Sequence, residues 1–218
     1  EGDRRTAVNL YGQLYAPTEA KGVRGAAFKR LVASLGEKAA PFVLQVLTGD
    51  DADLRVVALE AAREAPGTAA TQALVAQLPQ LSPDAQAQLL SALAVRGDRS
   101  ALPAITEAAA SPDERVRLAA LETLGTLGDA GSVIVLAKAA SERPEVERKV
   151  ARESLDRLAG PDIDGAILGT FSGPYDPVLQ VELARTLAAR RTAGAVPVLA
   201  KSAESTDQTV AVESLKAL

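Results

Sequence analysis

The chain has 218 residues, of which 47% are hydrophobic but only 3% aromatic, and a formal net charge of −4. A mildly acidic balance gives no electrostatic reason to expect nucleic acid or anionic lipid as a ligand. The chain contains neither Cys nor His. That removes disulfides, thiolate nucleophiles, the usual near-neutral general base and the commonest transition-metal ligand.

No apolar run reaches the length of a membrane span, and no signal segment is visible. The chain starts at Glu1 and has no Met, which reads as a processed form or a piece of something longer. Its compartment, cytoplasmic or extracytoplasmic, stays open.

Asp3 to Tyr15 reads as one helix carrying Val8, Leu10, Tyr11, Leu14 and Tyr15, with residues 1–17 as an N-terminal cap. Helix pairs follow. Thr18–Leu35 and Glu37–Leu47 form the first, Asp51–Ala65 and Thr68–Gln80 the second, Ser82–Val95 and Arg99–Ala110 the third. The fourth is the clearest. Ser111-Pro112-Asp113 supplies a cap and an early Pro, and Val116, Ala119, Ala120, Leu121 and Leu124 keep helical spacing. Gly125 and Gly128 then end that helix, and Asp129 opens the next. Asp50-Asp51 with Asp53 likewise reads as a helix start, its carboxylates at the positive end of a helix dipole.

One period runs through these pairs. Phe28, Leu59, Leu90 and Leu121 are each 31 residues apart, as are Leu31, Ala62, Leu93 and Leu124, and Val43, Leu74, Ile105 and Leu136. Three ladders in one register mark a solenoid, in which each unit buries its apolar face against its neighbours. Downstream, Pro144–Ala159 and Asp162–Phe171 form a fifth pair. There Leu155 and Leu158 are read as displaced by 34 from Leu121 and Leu124. Asp176–Arg190 and Thr192–Ala203 form a sixth, with Leu187 lying 63 beyond Leu124. A further first helix begins near Asp207, and Leu215 and Leu218 are expected to be half covered. The predicted architecture is all-α, a right-handed α-solenoid of about six antiparallel helix pairs in a single domain, 1–218. Its repeats are placed at 18–49, 50–80, 81–110, 111–141, 142–173 and 174–204, with a partial one at 205–218.

These residues resemble HEAT repeats, in particular the short bacterial kind associated with phycobilin lyases. The resemblance rests on Asp113, Val116-Arg117, Ala119-Ala120-Leu121, Leu124-Gly125 and Gly128-Asp129. Asp51, Leu54-Arg55, Ala58-Leu59 and Ala62 match in the second unit, and Val23-Arg24, Ala26-Ala27-Phe28 and Leu31 in the first. Gln86 and Gln180 depart at the Arg position, and the fifth unit matches poorly. The resemblance implies a scaffold, with the second helices of the pairs lining a concave face.

Arg24, Arg55 and Arg117 recur at one repeat position. They read as internal bonds to turn carboxylates such as Asp98 and Asp129, or to helix-end carbonyls, because repeats reuse the same contacts. The outward line of the second helices is short in side chain, mixed in charge and free of aromatics. It lacks the cations that phosphates need and the rings that bases stack on. Candidate partner-binding residues are Gln45, Gln72, Glu107, Lys138 and Lys201 on this line, with Tyr175 in the irregular segment from Phe171 to Pro177. Pro41, Pro103 and Pro197 set helix starts. Asp162-Ile163-Asp164-Gly165 lacks the further ligands of a calcium loop, and Asp162 reads as a helix cap. Tyr11, Tyr15, Phe28 and Phe42 read as core filling under the first helix.

No catalytic, cofactor or metal site is expected. The predicted function is a non-catalytic module that binds a protein or a neighbouring domain of its parent chain, as a monomer. An alternative is a lyase-associated or cofactor-chaperone subunit. A glycosylase of HEAT architecture fits less well, since it would want Trp and a basic cleft.

Overall fold

A computed structural model of the chain describes residues 2–49 and 51–218. Asp50, part of one expected helix start, lies outside them. Among the described residues there are α-helices, short 3₁₀ turns and no β-strand. They form two compact units, Glu1–Ala104 and Ile105–Leu218.

In the first unit the helices are α1 (Gly2–Leu14), α2 (Lys21–Leu35), α3 (Ala40–Leu47), α4 (Ala52–Glu64), α5 (Thr68–Gln77) and α6 (Pro83–Arg96), with the start of α7 (Leu102–Ala108). First helices pack on first helices, α2 on α4 and α4 on α6, and second on second, α3 on α5. The second unit holds the rest of α7, then α8 (Glu114–Leu127), α9 (Ser132–Glu142), α10 (Glu145–Arg157), α11 (Ile163–Phe171), α12 (Pro177–Arg190), α13 (Ala195–Ser202) and α14 (Gln208–Ala217). The same rule holds there, with α8 on α10, α10 on α12, α12 on α14, and α9 on α11. Each unit is thus a helix-pair repeat array of solenoid-like construction.

The starts of α4, α6, α8, α12 and α14 are capped by short side chains. Asp51 accepts from the Leu54 amide, Ser82 from Ala85, Asp176 from Leu179 and Asp207 from Val210, which satisfies amides that have no partner within the helix. In the fourth pair the cap is Asp113, accepting from Arg115. Ser111 instead accepts from the Asp113 amide at 3.3 Å, one step before the helix. Gly125 does not end α8 but lies inside it. A Cβ on Gly125 would stand 2.6 Å from Ser154 Cβ and 2.7 Å from its Cα. Glycine is needed there so that α8 and α10 can approach.

The ladders are the core. Leu31, Ala62, Leu93, Leu124 and Val43, Leu74, Ile105, Leu136 are all buried, and Phe28, Leu90 and Leu121 with them. Leu59 alone of the twelve is only half-buried. The third ladder continues through Ile167 and Leu199, both buried.

The fifth pair corrects the expected register. Its buried positions Glu147, Ala151, Ser154, Leu155 and Leu158 lie 31 residues beyond Val116, Ala120, Thr123, Leu124 and Leu127. Leu155 is therefore the counterpart of Leu124, not of Leu121. The 31-residue period never breaks here. Apolar spacing does not reveal this register, because Glu147 stands at the position of Val116 and Arg152 at that of Leu121.

Aromatic packing also differs from expectation. Phe28 is buried, and its ring centroid lies 5.5 Å from that of Tyr15. Tyr11 and Tyr15 are half-buried, whereas Phe42 is 40% exposed and does not fill the core. Helix α1 packs on α2, yet none of its described side chains is buried. At the other end Val210 is buried, while Leu215 and Leu218 are exposed.

Candidate interaction surfaces

Gln45 on α3 and Gln72 on α5 are exposed in the first unit, and Glu107 on α7, Lys138 on α9, Lys201 on α13 and Tyr175 are exposed in the second. The first two belong to one compact unit and the other four to the other. Within the second unit a regular pattern emerges. Ile134 and Lys138 of α9 correspond by repeat spacing to Gly165 and Gly169 of α11, and to Pro197 and Lys201 of α13. A Cβ added to Gly165 or Gly169 would meet nothing within 4 Å, so internal packing does not demand either glycine. Lys138 and Lys201 carry no ion pair among the described residues. Most other cations of this unit do.

Tyr175 sits in the connection between α11 and α12. A Cβ on Gly173 would lie 2.8 Å from Tyr175 Cε2, so the ring covers the glycine backbone and leaves one edge to solvent. Phe171 turns inward and is buried. Asp162 stands at the start of α11 but does not cap it. Its φ is 60°, in the left-handed region, and its side chain makes no capping bond. No group of three or more His, Cys, Asp or Glu among the described residues could hold a metal ion.

The recurring arginines are structural and bond a turn carboxylate or carbonyls just beyond a helix end, although neither Asp98 nor Asp129 is a partner. Arg24 bonds Asp51 at 3.1 Å and lies over the Tyr15 ring. Arg55 donates to the Gly49 carbonyl. Arg117 donates to the carbonyls of Ser111 and Pro112. Gln86 and Gln180, which depart from the Arg pattern, make the same bond, to Leu81 and Gly173. In α4, α6, α8 and α12 the position therefore ties the first helix to the loop before it, whereas Arg24 of α2 reaches the loop before α4. Asp98 is held instead by Thr71 at 2.6 Å and by the Ser100 amide. These hydrogen bonds, Thr71 foremost, hold its carboxyl below the usual range. Asp129 accepts from Ser132.

A second arginine series escaped the sequence reading. Arg96 donates to the carbonyls of Ala62, Ala65 and Gly67, and Arg190 to those of Leu155, Asp156 and Leu158. Each sits at the last turn of a first helix and caps the carbonyl end of the preceding one. Basic residues favour that end of a helix dipole. The signal was visible as Arg96 and Arg190 lying 94 residues apart, three repeats of this chain.

Joints between first helices in the second unit are ionic. Glu147 is buried and takes Arg117 from α8 in two bonds of 2.6 and 3.0 Å. Glu182 is buried and takes Arg152 from α10 at 2.6 and 2.8 Å. Arg185 then reaches Glu213 on α14 at 3.2 Å. The bonded Arg117 guanidinium holds the Glu147 carboxyl below the usual glutamate range, and Glu147 in turn raises Arg117. Such paired, forked contacts are the strong form of charge-assisted bonding.

A family profile for HEAT repeats matches residues 71–156, less than half of the chain. No curated protein is significantly similar to the chain. Among solved structures, human deoxyhypusine hydroxylase in complex with glycerol is 16% identical with a TM-score of 0.44, over 98% of this chain and 95% of that one. An engineered protein is 21% identical with a TM-score of 0.33, over 99% and 95%. Neither likeness carries a functional implication. The chain holds a HEAT-repeat-like helical module. No helix among the described residues is long and apolar enough to cross a membrane.

Proposed function

We propose that this chain is a non-catalytic binding module. It holds a protein partner, or a neighbouring domain of a longer parent chain, along the outer face of its second helices. The observation that carries this reading is the arrangement in the second unit. Two glycines of α11 open onto empty space, and Lys138 and Lys201, the residues of α9 and α13 that match Gly169 by repeat spacing, have no ion pair among the described residues. Glycine inside a helix is unfavourable compared with alanine, and here internal packing gives nothing back. A partner backbone that approaches closely and carries carboxylates makes use of both features.

Glu107 and Tyr175 are further candidate contacts in the second unit, and Gln45 and Gln72 are the candidates in the first. In this reading the second helices of each unit present the binding face, and the chain acts as a monomer. The motif around Asp113, Val116-Arg117 and Gly128-Asp129 supports kinship with short bacterial, phycobilin-lyase-type repeats.

The test is affinity capture from extract of the source organism, followed by mass spectrometry. Wild-type chain is run beside a variant with Gln45, Gln72, Glu107 and Lys138 changed together to Arg, and beside Lys138→Glu/Lys201→Glu. A stoichiometric protein lost from both variants establishes the binding face. A partner retained by both, or no partner at all, removes the proposal.

A further inference from the structure

The first unit carries a groove on a different side, between the first helices α2 and α4. It consists of two hollows, of about 470 and 250 Å³, that share Lys29. Its floor is apolar and small, with Gly22, Gly25 and Ala26 from α2 and Leu54 and Val57 from α4 in the larger hollow. The walls differ in sign. Lys21 and Lys29 stand on the α2 side, and Asp53, Glu60 and Glu64 on the α4 side. Lys21 and Asp53 meet across it at 2.7 Å, with side chains 74% and 66% exposed. Lys29 and Glu60 also pair. Ion pairs this exposed contribute little, so a ligand exchanges them at small cost.

Neither glycine is demanded by packing. A Cβ on Gly22 would meet nothing within 4 Å, and one on Gly25 only Val57 Cγ2 at 3.5 Å, an ordinary contact. Both sit within a helix, where glycine is disfavoured. Their effect is to deepen the groove.

We infer that this groove receives an extended segment of another polypeptide in which acidic and basic residues alternate. In an extended chain successive side chains point to opposite sides. Alternating charges therefore send every carboxylate to the lysine wall and every cation to the carboxylate wall. The spacing fits. Lys21 and Lys29 are eight residues apart on α2, roughly 12 Å along a helix axis, and four residues of extended chain cover about 13 Å. This inference does not rest on the second-helix face.

The probe is a fluorescently labelled acetyl-(Glu-Lys)4-amide peptide. A peptide of the same composition in two blocks, four Glu then four Lys, is the control. Anisotropy is measured at low salt with three full-length proteins: wild type, Gly22→Leu, and the swap Lys29→Glu/Glu60→Lys. Gly22→Leu fills the groove at a site with free space and better helix propensity. The swap keeps the internal ion pair but mixes the signs of both walls. Melting curves of both variants, matching wild type, establish that they fold. The expected result is saturable binding of the alternating peptide to wild type, about tenfold or more weaker in each variant, and no comparable binding of the block peptide. No saturable binding, equal binding of the block peptide, or unchanged affinity in both variants overturns the inference.

Discussion

Glu147 is the residue whose position departs furthest from its counterparts. It takes a place that Val116 fills one repeat earlier, and it is buried with its charge answered by Arg117. Removing one partner of a buried pair leaves the other charge without compensation, which costs about 3–5 kcal/mol, whereas replacing both with apolar residues is often neutral or stabilising. Arg117→Leu and Glu147→Val should each destabilise the second unit by that amount in urea unfolding, and the double variant should recover most of the loss. Additive losses would show that the two side chains act separately. The lowered Glu147 carboxyl also sets a pH dependence. A carboxylate held below its unfolded value stabilises fully above about pH 4.3. That contribution fades as pH falls from there through the folded value. Wild type should therefore lose stability below about pH 4.3, and Glu147→Gln should show a smaller acid loss over the same range.

Helices were more legible than their joints. The 31-residue period identified the buried side of each first helix because apolar positions dominate there. It placed Leu31, Leu93 and Leu124 correctly. It failed at α10, where two of the expected apolar positions hold Glu147 and Arg152. Hydrophobic spacing cannot register a helix that is buried through ion pairs. Gly125 failed for a related reason. Glycine reads locally as a helix stop, while its role lies in Ser154, 29 positions away. The candidate surface was readable only as a list of outward positions. That Lys138 and Lys201 have no ion pair among the described residues, and that Gly165 and Gly169 face space, depends on what neighbouring helices leave open. The α8 core makes a direct prediction. Leu121 is buried, and Leu121→Ala should cost about 2–5 kcal/mol. Hydrogen exchange should speed in both α8 and α10, and unchanged protection in α10 would separate the two helices energetically.

Across the whole chain, stability should be uneven. No described side chain of α1 is buried, whereas α8 is buried at Val116, Leu121 and Leu124. Local opening follows the density of buried apolar contact. Amides of α1 should therefore exchange first and those of α8 among the last, as read by mass spectrometry of time-resolved exchange. Equal protection in the two helices would contradict the packing described here.

Six bridges between successive first helices run in one sense. Lys21–Asp53, Arg24–Asp51 and Lys29–Glu60 in the first unit place the cation on the earlier helix and the carboxylate on the later. So do Arg117–Glu147, Arg152–Glu182 and Arg185–Glu213 in the second. Repeats of this kind behave like plugs and sockets, not like identical bricks. Glu182 and Glu213 occupy the same place in their helices, 31 residues apart. A second copy of the α12–α13 segment spliced directly after the first would therefore still offer Arg185 a carboxylate. The same segment exchanged with the α10–α11 segment would not keep every plug matched to its socket. Lengthening such an array is a matter of copying a unit in place, and its order is written in charge.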